Sequence, residues 1–155
     1  MKTKFIALLS DFGANDPFVG TMKGVILTKA PGLTIIDITH QIPPQDIQAA
    51  AFYLMASVPF MPKGTLFIAV VDPTVGMGRG ILWARTKNHQ FITPDNGILS
   101  WVGERETIEE VRFISNSALF LARISSTFHG RDIMAPVAAA IAKGLPEKSI
   151  GPVLR

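Results

Sequence analysis

Cysteine is absent from the chain, which excludes disulfides and thiolate metal sites and fits a cytoplasmic protein. Charge is scarce too: Asp, Glu, Lys and Arg make up 17% of 155 residues, against 48% hydrophobic. No apolar run approaches the ~20 residues that span a bilayer, so no membrane association is expected. The opening MKTKFIALLSDFG sets two lysines before an apolar run, as a signal peptide would. That run covers only Phe5 to Leu9 before it meets Ser10, Asp11 and Gly13, and it reads as an opening strand. The net charge of +3 is scattered rather than gathered into a stripe with interleaved aromatics, which argues against a nucleic-acid partner. His40, His89 and His129 are not paired at ligand spacing, so no metal site is expected. His89, in TKNHQ, reads as a solvated hairpin turn. No GxGxxG or Walker sequence is present, and with them goes the usual phosphate cradle. The chain also has no internal repeat, low-complexity tract or obvious linker.

What is present has the pattern of an α/β protein. Lys4–Leu9, Thr34–Ile38 and Leu66–Val71 are short, β-rich and continuously apolar, as strands buried on both faces are. Further strands are predicted at Ile81–Thr86, Gln90–Thr93 and Val111–Ile114. Helices are expected from an Asp16 cap through Phe18 to Lys29, from Asp46 to about Val58, and from an Asp132 cap to Lys143, with a helical turn around Ile98–Val102. Alternating strands and helices at the front imply one domain over residues 1–155: a three-layer, mainly parallel sheet with helices on both faces. The apolar surplus, with Phe18, Met22, Phe52 and Met55 among its contributors, also predicts self-association.

In such sheets ligands bind at the carboxyl ends of the strands. The scarce polar groups fall there: Asp11 after the first strand, Asp37 to His40 at the end of the second, Asp72 after the third, and TPDNG (Thr93–Gly97) after a later one. Asp11 precedes any helix it could cap, and a carboxylate so placed can accept both hydrogen bonds of a ribose diol. Asp16 reads equally well as a helix cap. His40 reads as a satisfied structural residue. In VVDPTVGMGR, Asp72 either opens a turn and pairs with Arg79 after the loop doubles back through Gly76 and Gly78, or it belongs to a site. His129, in TFHGRD, lies on a loop before the last helix. Asp72, Arg79 and His129 together could hold a water and stabilise its deprotonated form.

Five blocks carry a resemblance. LLSDFGANDPFVGTMKGVI, IIDITHQIPPQDIQAAAFYL, GTLFIAVVDPTVGMGR, TPDNGILS and TFHGRDIMAPVAAAIAKG resemble, in this order, the amino-terminal domain of the S-adenosylmethionine hydroxide adenosyltransferases, relatives of the fluorinases and chlorinases. The resemblance runs from about Phe5 to Gly151. It implies cleavage of S-adenosylmethionine by water to adenosine and methionine, in a homotrimer with sites between subunits and with no cofactor. The implied water-activating residues are Asp72, Arg79 and His129. Asp11 matches the ribose-binding carboxylate, and Asp16 a position near the methionine end. Thr74, Asp95, Asn96 and Gly130, inside the same blocks, are the other implied substrate-facing positions. Halogenating relatives carry a tyrosine where this chain has Asp72, and a long insertion before the PDNG-like block. Lacking both, this chain is expected to use hydroxide rather than halide.

The chain departs from the family pattern at Thr74, where glycine is usual, and at Gln45, where an aromatic is usual. Thr74 would strain its loop if that position needs a positive φ. Family proteins also continue into a second, β-barrel-like domain to which the resemblance assigns the adenine contacts, whereas this sequence stops at GPVLR. The competing reading is therefore a binding or assembly module, or a fragment, that holds adenosine or S-adenosylmethionine without turnover.

Overall fold

The computed structural model describes residues 3–154. Six strands, β1 (Phe5–Ser10), β2 (Thr34–Thr39), β3 (Leu66–Val70), β4 (Ile81–Thr86), β5 (Gln90–Pro94) and β6 (Ile108–Phe113), form one sheet. Four helices, α1 (Phe18–Lys29), α2 (Ile47–Ser57), α3 (Ser100–Gly103) and α4 (Ala135–Ala142), cover it. The strand order is β2-β1-β3-β5-β4-β6. β2, β1, β3 and β5 run parallel, and β4 lies antiparallel to both of its neighbours. The sheet is thus mixed but mainly parallel, as expected.

Alternation along the central strands builds two cores. Ile6, Leu8, Leu66, Ile68 and Val70 pack with Met22 and Ile26 of α1 and Val137 and Ile141 of α4. Ala7, Leu9, Phe67, Ala69 and Val71 pack on the other side with Ala50 and Leu54 of α2 and Val102, within α3. Each large side chain removed from water in this way contributes about 1.5–3 kcal/mol. Two buried faces account for much of the apolar content, and Met22 is core. Phe18 and Phe52 stay 42% and 49% exposed, and Phe60 is 85% exposed.

After β2 the chain returns past β1 to lay down β3, so the winding reverses between β1 and β3. That reversal opens a crevice at the carboxyl ends of these two strands. It is lined by the loops that follow them and by the segment leading into α4.

Several local expectations are corrected. Asp16 caps nothing: α1 starts at Phe18 with Pro17 at its boundary, and no side chain caps it. Asp46 does cap α2, accepting from the Ala49 amide at 2.9 Å. Asp132 is not a cap but is fully buried inside a π-helical turn, Gly130–Met134, that leads into α4. The Asp132 carbonyl finds its donor outside the helix. Pro136 has no N–H to give to the Asp132 carbonyl, and Leu121 donates to that carbonyl instead at 2.9 Å. β6 begins at Ile108 rather than Val111.

His89 is buried, not solvated; its ring packs edge-on against Phe67 at 5.5 Å and its Nδ1 has no partner among the described residues. Burial pushes this imidazole below the ordinary histidine value of 6.5. A neutral histidine in the folded state stabilises it fully above 6.5, and the contribution is lost as pH falls from there through the lower folded value. Asp37, Glu110 and Asp132 are all held below their ordinary values, so their losses come at more acidic pH. Melting temperature should therefore begin to fall as pH drops through 6.5, and His89→Gln should flatten that first limb while leaving the more acidic one.

The loop after β3 approaches the loop before α4 very closely. A Cβ on Gly76, whose φ is +78°, would lie 2.2 Å from the Ser126 carbonyl oxygen. Gly76→Ala should destabilise the fold by about 2 kcal/mol or more, from clash and positive φ together. Denaturant unfolding checks this, and an unchanged midpoint would contradict the close approach.

Candidate active site

A small pocket of about 50 Å³ lies in the crevice between the ends of β1 and β3, and Asp11, Asp72 and His129 all line it. That volume holds a few water molecules and no more. Phe12, Val70, Val75, Phe128, Gly130 and Met134 supply mostly apolar walls. Phe12, Phe18 and Phe128 form a mutual cluster with ring centroids 5.2–5.7 Å apart. Polar interactions are stronger inside such a wall than in water.

Each ionisable group is held by its own local structure. Asp72, partly buried, lies two residues beyond β3, and its Oδ1 accepts from the Thr74 amide at 3.1 Å and the Thr74 hydroxyl at 3.2 Å. These bonds use one oxygen; among the described residues no hydrogen bond engages Oδ2. Asp11 follows β1, and its Oδ2 accepts from the Gln45 amide at 2.9 Å. Thr74 is not strained. The non-glycine residue at positive φ is Gln45, at +64°, a conformation costing about 1–2 kcal/mol. Strain of this kind tends to gather at functional sites.

His129 reaches the pocket through the Asp132 anchor. Buried Asp132 accepts from Arg131 Nε at 2.6 Å and from the Ser125 amide at 2.8 Å, which ties the incoming loop to the helix. Burial raises the Asp132 carboxyl, but the hydrogen bonds from Arg131 and Ser125 outweigh it, and its pKa falls below the ordinary value. The Arg131 guanidinium also lies 4.8 Å from the centre of the Phe128 ring. Gly130 is buried against Met22 and Val70, where a Cβ would come within 3.3 Å of both.

Not every expected residue converges here. Arg79 does not pair with Asp72. It is exposed, and its Nη1 donates to the Asp95 carbonyl at 3.1 Å. With Thr74, Met77 and Asp95 it lines an open cleft of about 580 Å³. Thr74 lines this cleft and binds Asp72, which lines the pocket, so it links the two. Asn96 joins the exits of two strands, donating through Nδ2 to the Val71 carbonyl at 2.8 Å. Asp16 is exposed and does not line the pocket. The sequence reading did not single out Phe12 or Phe128, because an aromatic beside a loop aspartate or histidine has the same local signature as a core residue. Among the described residues, no three His, Asp or Glu side chains cluster as a metal site, and no helix is long and apolar enough to cross a membrane.

Taken together, a carboxylate with one uncommitted oxygen and an imidazole share a water-sized, largely apolar space, with a second carboxylate beside them. Comparison with known proteins places the whole chain. A (R)-S-adenosyl-L-methionine hydrolase from Thermus thermophilus is 40% identical over 154 residues, covering 95% of this chain and 60% of that protein. A fluorinase from an Actinoplanes species is 30% identical over 172 aligned positions, covering 96% of this chain and 58% of that protein. That alignment is longer than the chain itself, so the fluorinase carries inserted residues. A crystal structure of an uncharacterized conserved protein from Thermotoga maritima superposes with a TM-score of 0.92 at 42% identity, covering 97% of this chain and 58% of that one. The chain thus spans no more than 60% of the length of any of the three. Residues 6–151 match the family defined as the SAM hydroxide adenosyltransferase N-terminal domain, and the chain belongs to that family.

Proposed function

We propose that this chain carries the nucleophile-holding half of an enzyme that hydrolyses S-adenosylmethionine to adenosine and methionine. The observation that carries the reading is that Asp72, His129 and Asp11 line one small, largely apolar pocket. In this reading Asp72 Oδ2 accepts a hydrogen bond from the reacting water and orients it. The water's proton passes to the Asp72 carboxylate as its oxygen attacks the ribose C5′, His129 steadies the same water, and Asp11 grips the ribose diol. The carbon–sulfur bond breaks as the carbon–oxygen bond forms, and the sulfonium leaves as a neutral thioether without an acid. Opposite charges are neutralised as the transition state forms, so the apolar Phe12, Phe128 and Val70 wall helps rather than hinders. The chemistry calls for no cofactor.

Arg79, placed by the same loop and held by one hydrogen bond to a carbonyl, is assigned to the charge of the deprotonated water once substrate is bound. Thr74 holds Asp72. Asp95, Asn96 and Gly130 shape the site through the Arg79 anchor, the strand junction and the pocket wall. Asp16 is assigned to the methionine end of a substrate larger than the pocket. A homotrimer and a cytoplasmic location belong to the same proposal; the exposed Phe18, Phe52, Phe60 and Met77 support self-association.

One observation favours a second reading, in which this chain alone binds adenosine weakly without turnover. A pocket of about 50 Å³ is smaller than a nucleoside, so a bound nucleoside would extend beyond it. Chromatographic detection of adenosine separates the two readings. Asp72→Asn keeps an oxygen for Thr74 and should leave melting temperature and adenosine binding unchanged. It should slow hydrolysis on the order of a hundredfold or more. A variant with the wild-type rate and a lower melting temperature would return Asp72 to the role of a turn residue.

A further inference from the structure

Away from the pocket, four side chains form one continuous hydrogen-bonded chain. Lys23 Nζ, on α1, lies 2.6 Å from Asp37 Oδ2 on β2. Asp37 Oδ1 lies 3.0 Å from His40 Nε2, and His40 Nδ1 lies 2.6 Å from the Ser10 hydroxyl at the end of β1. Ser10 Oγ in turn accepts from the Phe12 amide at 3.3 Å. The hydrogen-bonding capacity of each group fixes the direction of the chain. Phe12 N–H donates to Ser10, whose hydroxyl must then find an acceptor, and the acceptor within reach is His40 Nδ1. The other ring nitrogen therefore carries the proton and donates to Asp37, whose second oxygen is taken by the Lys23 ammonium.

The order serine, histidine, aspartate is that of a hydrolytic triad, yet Ser10 cannot serve as a nucleophile. It is buried, and its oxygen already accepts a backbone hydrogen bond. What the chain does is bracket Asp11. Ser10 and Phe12 on either side of it are joined by the Phe12 amide bond to Ser10 Oγ. The His40 carbonyl also accepts from the Gly13 amide at 2.7 Å, and the Ser10 carbonyl from Ile42 at 3.4 Å. The loop after β1 is thereby sutured to the loop after β2, and the same two loops meet again where Asp11 holds Gln45 in its left-handed conformation.

We propose that Ser10, His40, Asp37 and Lys23 are positioning residues that fix the Asp11 carboxylate for its ligand. The proposal rests on the reading above in which Asp11 grips the ribose diol. It extends the site to a network that reaches the outer surface of α1 and β2.

The test is a double-mutant cycle read two ways, by adenosine affinity in calorimetry and by hydrogen exchange at the Gln45 amide. Ser10→Ala and His40→Ala should each weaken adenosine binding about tenfold, the size of coupling expected between neighbours in one network. In an Asp11→Ala background the same changes should have no further effect. Gln45 exchange should quicken in both single variants. Asp37→Asn, at the exposed end of the chain, should shift both readouts in the same direction and keeps the test open if Ser10→Ala fails to fold. Wild-type affinity in Ser10→Ala or Asp37→Asn, or an equal loss with Asp11 already removed, would overturn the proposal. If neither wild type nor variant binds adenosine, the affinity readout bears on the proposed function and not on the network. Gln45 exchange then decides alone: faster exchange supports the network as the support of Asp11, and unchanged exchange overturns it.

Discussion

Strands β1 and β3 have no face open to water. Ile6 to Leu9 and Leu66 to Ala69 are at most 1% exposed, because helices lie on both sides of the sheet. An ionised side chain within these stretches would lose its hydration with nothing to replace it. Charge can therefore appear only where the chain clears the sheet, and the first ionisable residues to do so are Asp11 and Asp72. The reversal of winding between the two strands sets those exits side by side. The location of the site follows from this burial constraint before any particular chemistry is considered.

The shape of the pocket follows from two backbone devices. Gly76 lets the loop after β3 run against Ser126, and Pro136 frees the Asp132 carbonyl for Leu121. Together with the Asp132–Arg131 pair they bring the segment carrying His129 down over the end of β3. The result is small and largely apolar, which suits a nucleophile that must shed its solvent and a reaction that destroys charge. Arg79 sits outside, on the Asp95 carbonyl. The candidate residues are thus divided between a small pocket and an open cleft, joined through Thr74.

The fold was legible in the sequence because buried parallel strands leave unbroken apolar runs, and Pro31, Gly32 and Pro59 mark where the intervening helices stop. The strand-end rule likewise anticipated that Asp11 and Asp72 would line one crevice. What failed was the choice of partner. Asp16 and Asp132 both stand where a cap is plausible. Capping depends on where the first helical turn closes, and Arg131 is a competitor for Asp132 that no local pattern ranks. His89 sits in a turn by its neighbours, but Phe67, from a distant stretch of chain, packs edge-on against its ring at 5.5 Å and helps to bury it. Asp72 found Thr74, two residues away, rather than Arg79, because the loop doubles back toward Ser126 instead of onto itself. Pairing across a fold is settled by packing, and spacing along the chain carries little of it.

The central claim is that water held between Asp72 and His129 attacks the ribose C5′. Turnover of S-adenosylmethionine in water labelled with heavy oxygen, followed by mass spectrometry of the products, tests it most directly. The account predicts one labelled oxygen in adenosine, at the 5′ hydroxyl, and none gained by methionine. Adenosine without the label would contradict it, as would breakdown of the substrate that yields no adenosine.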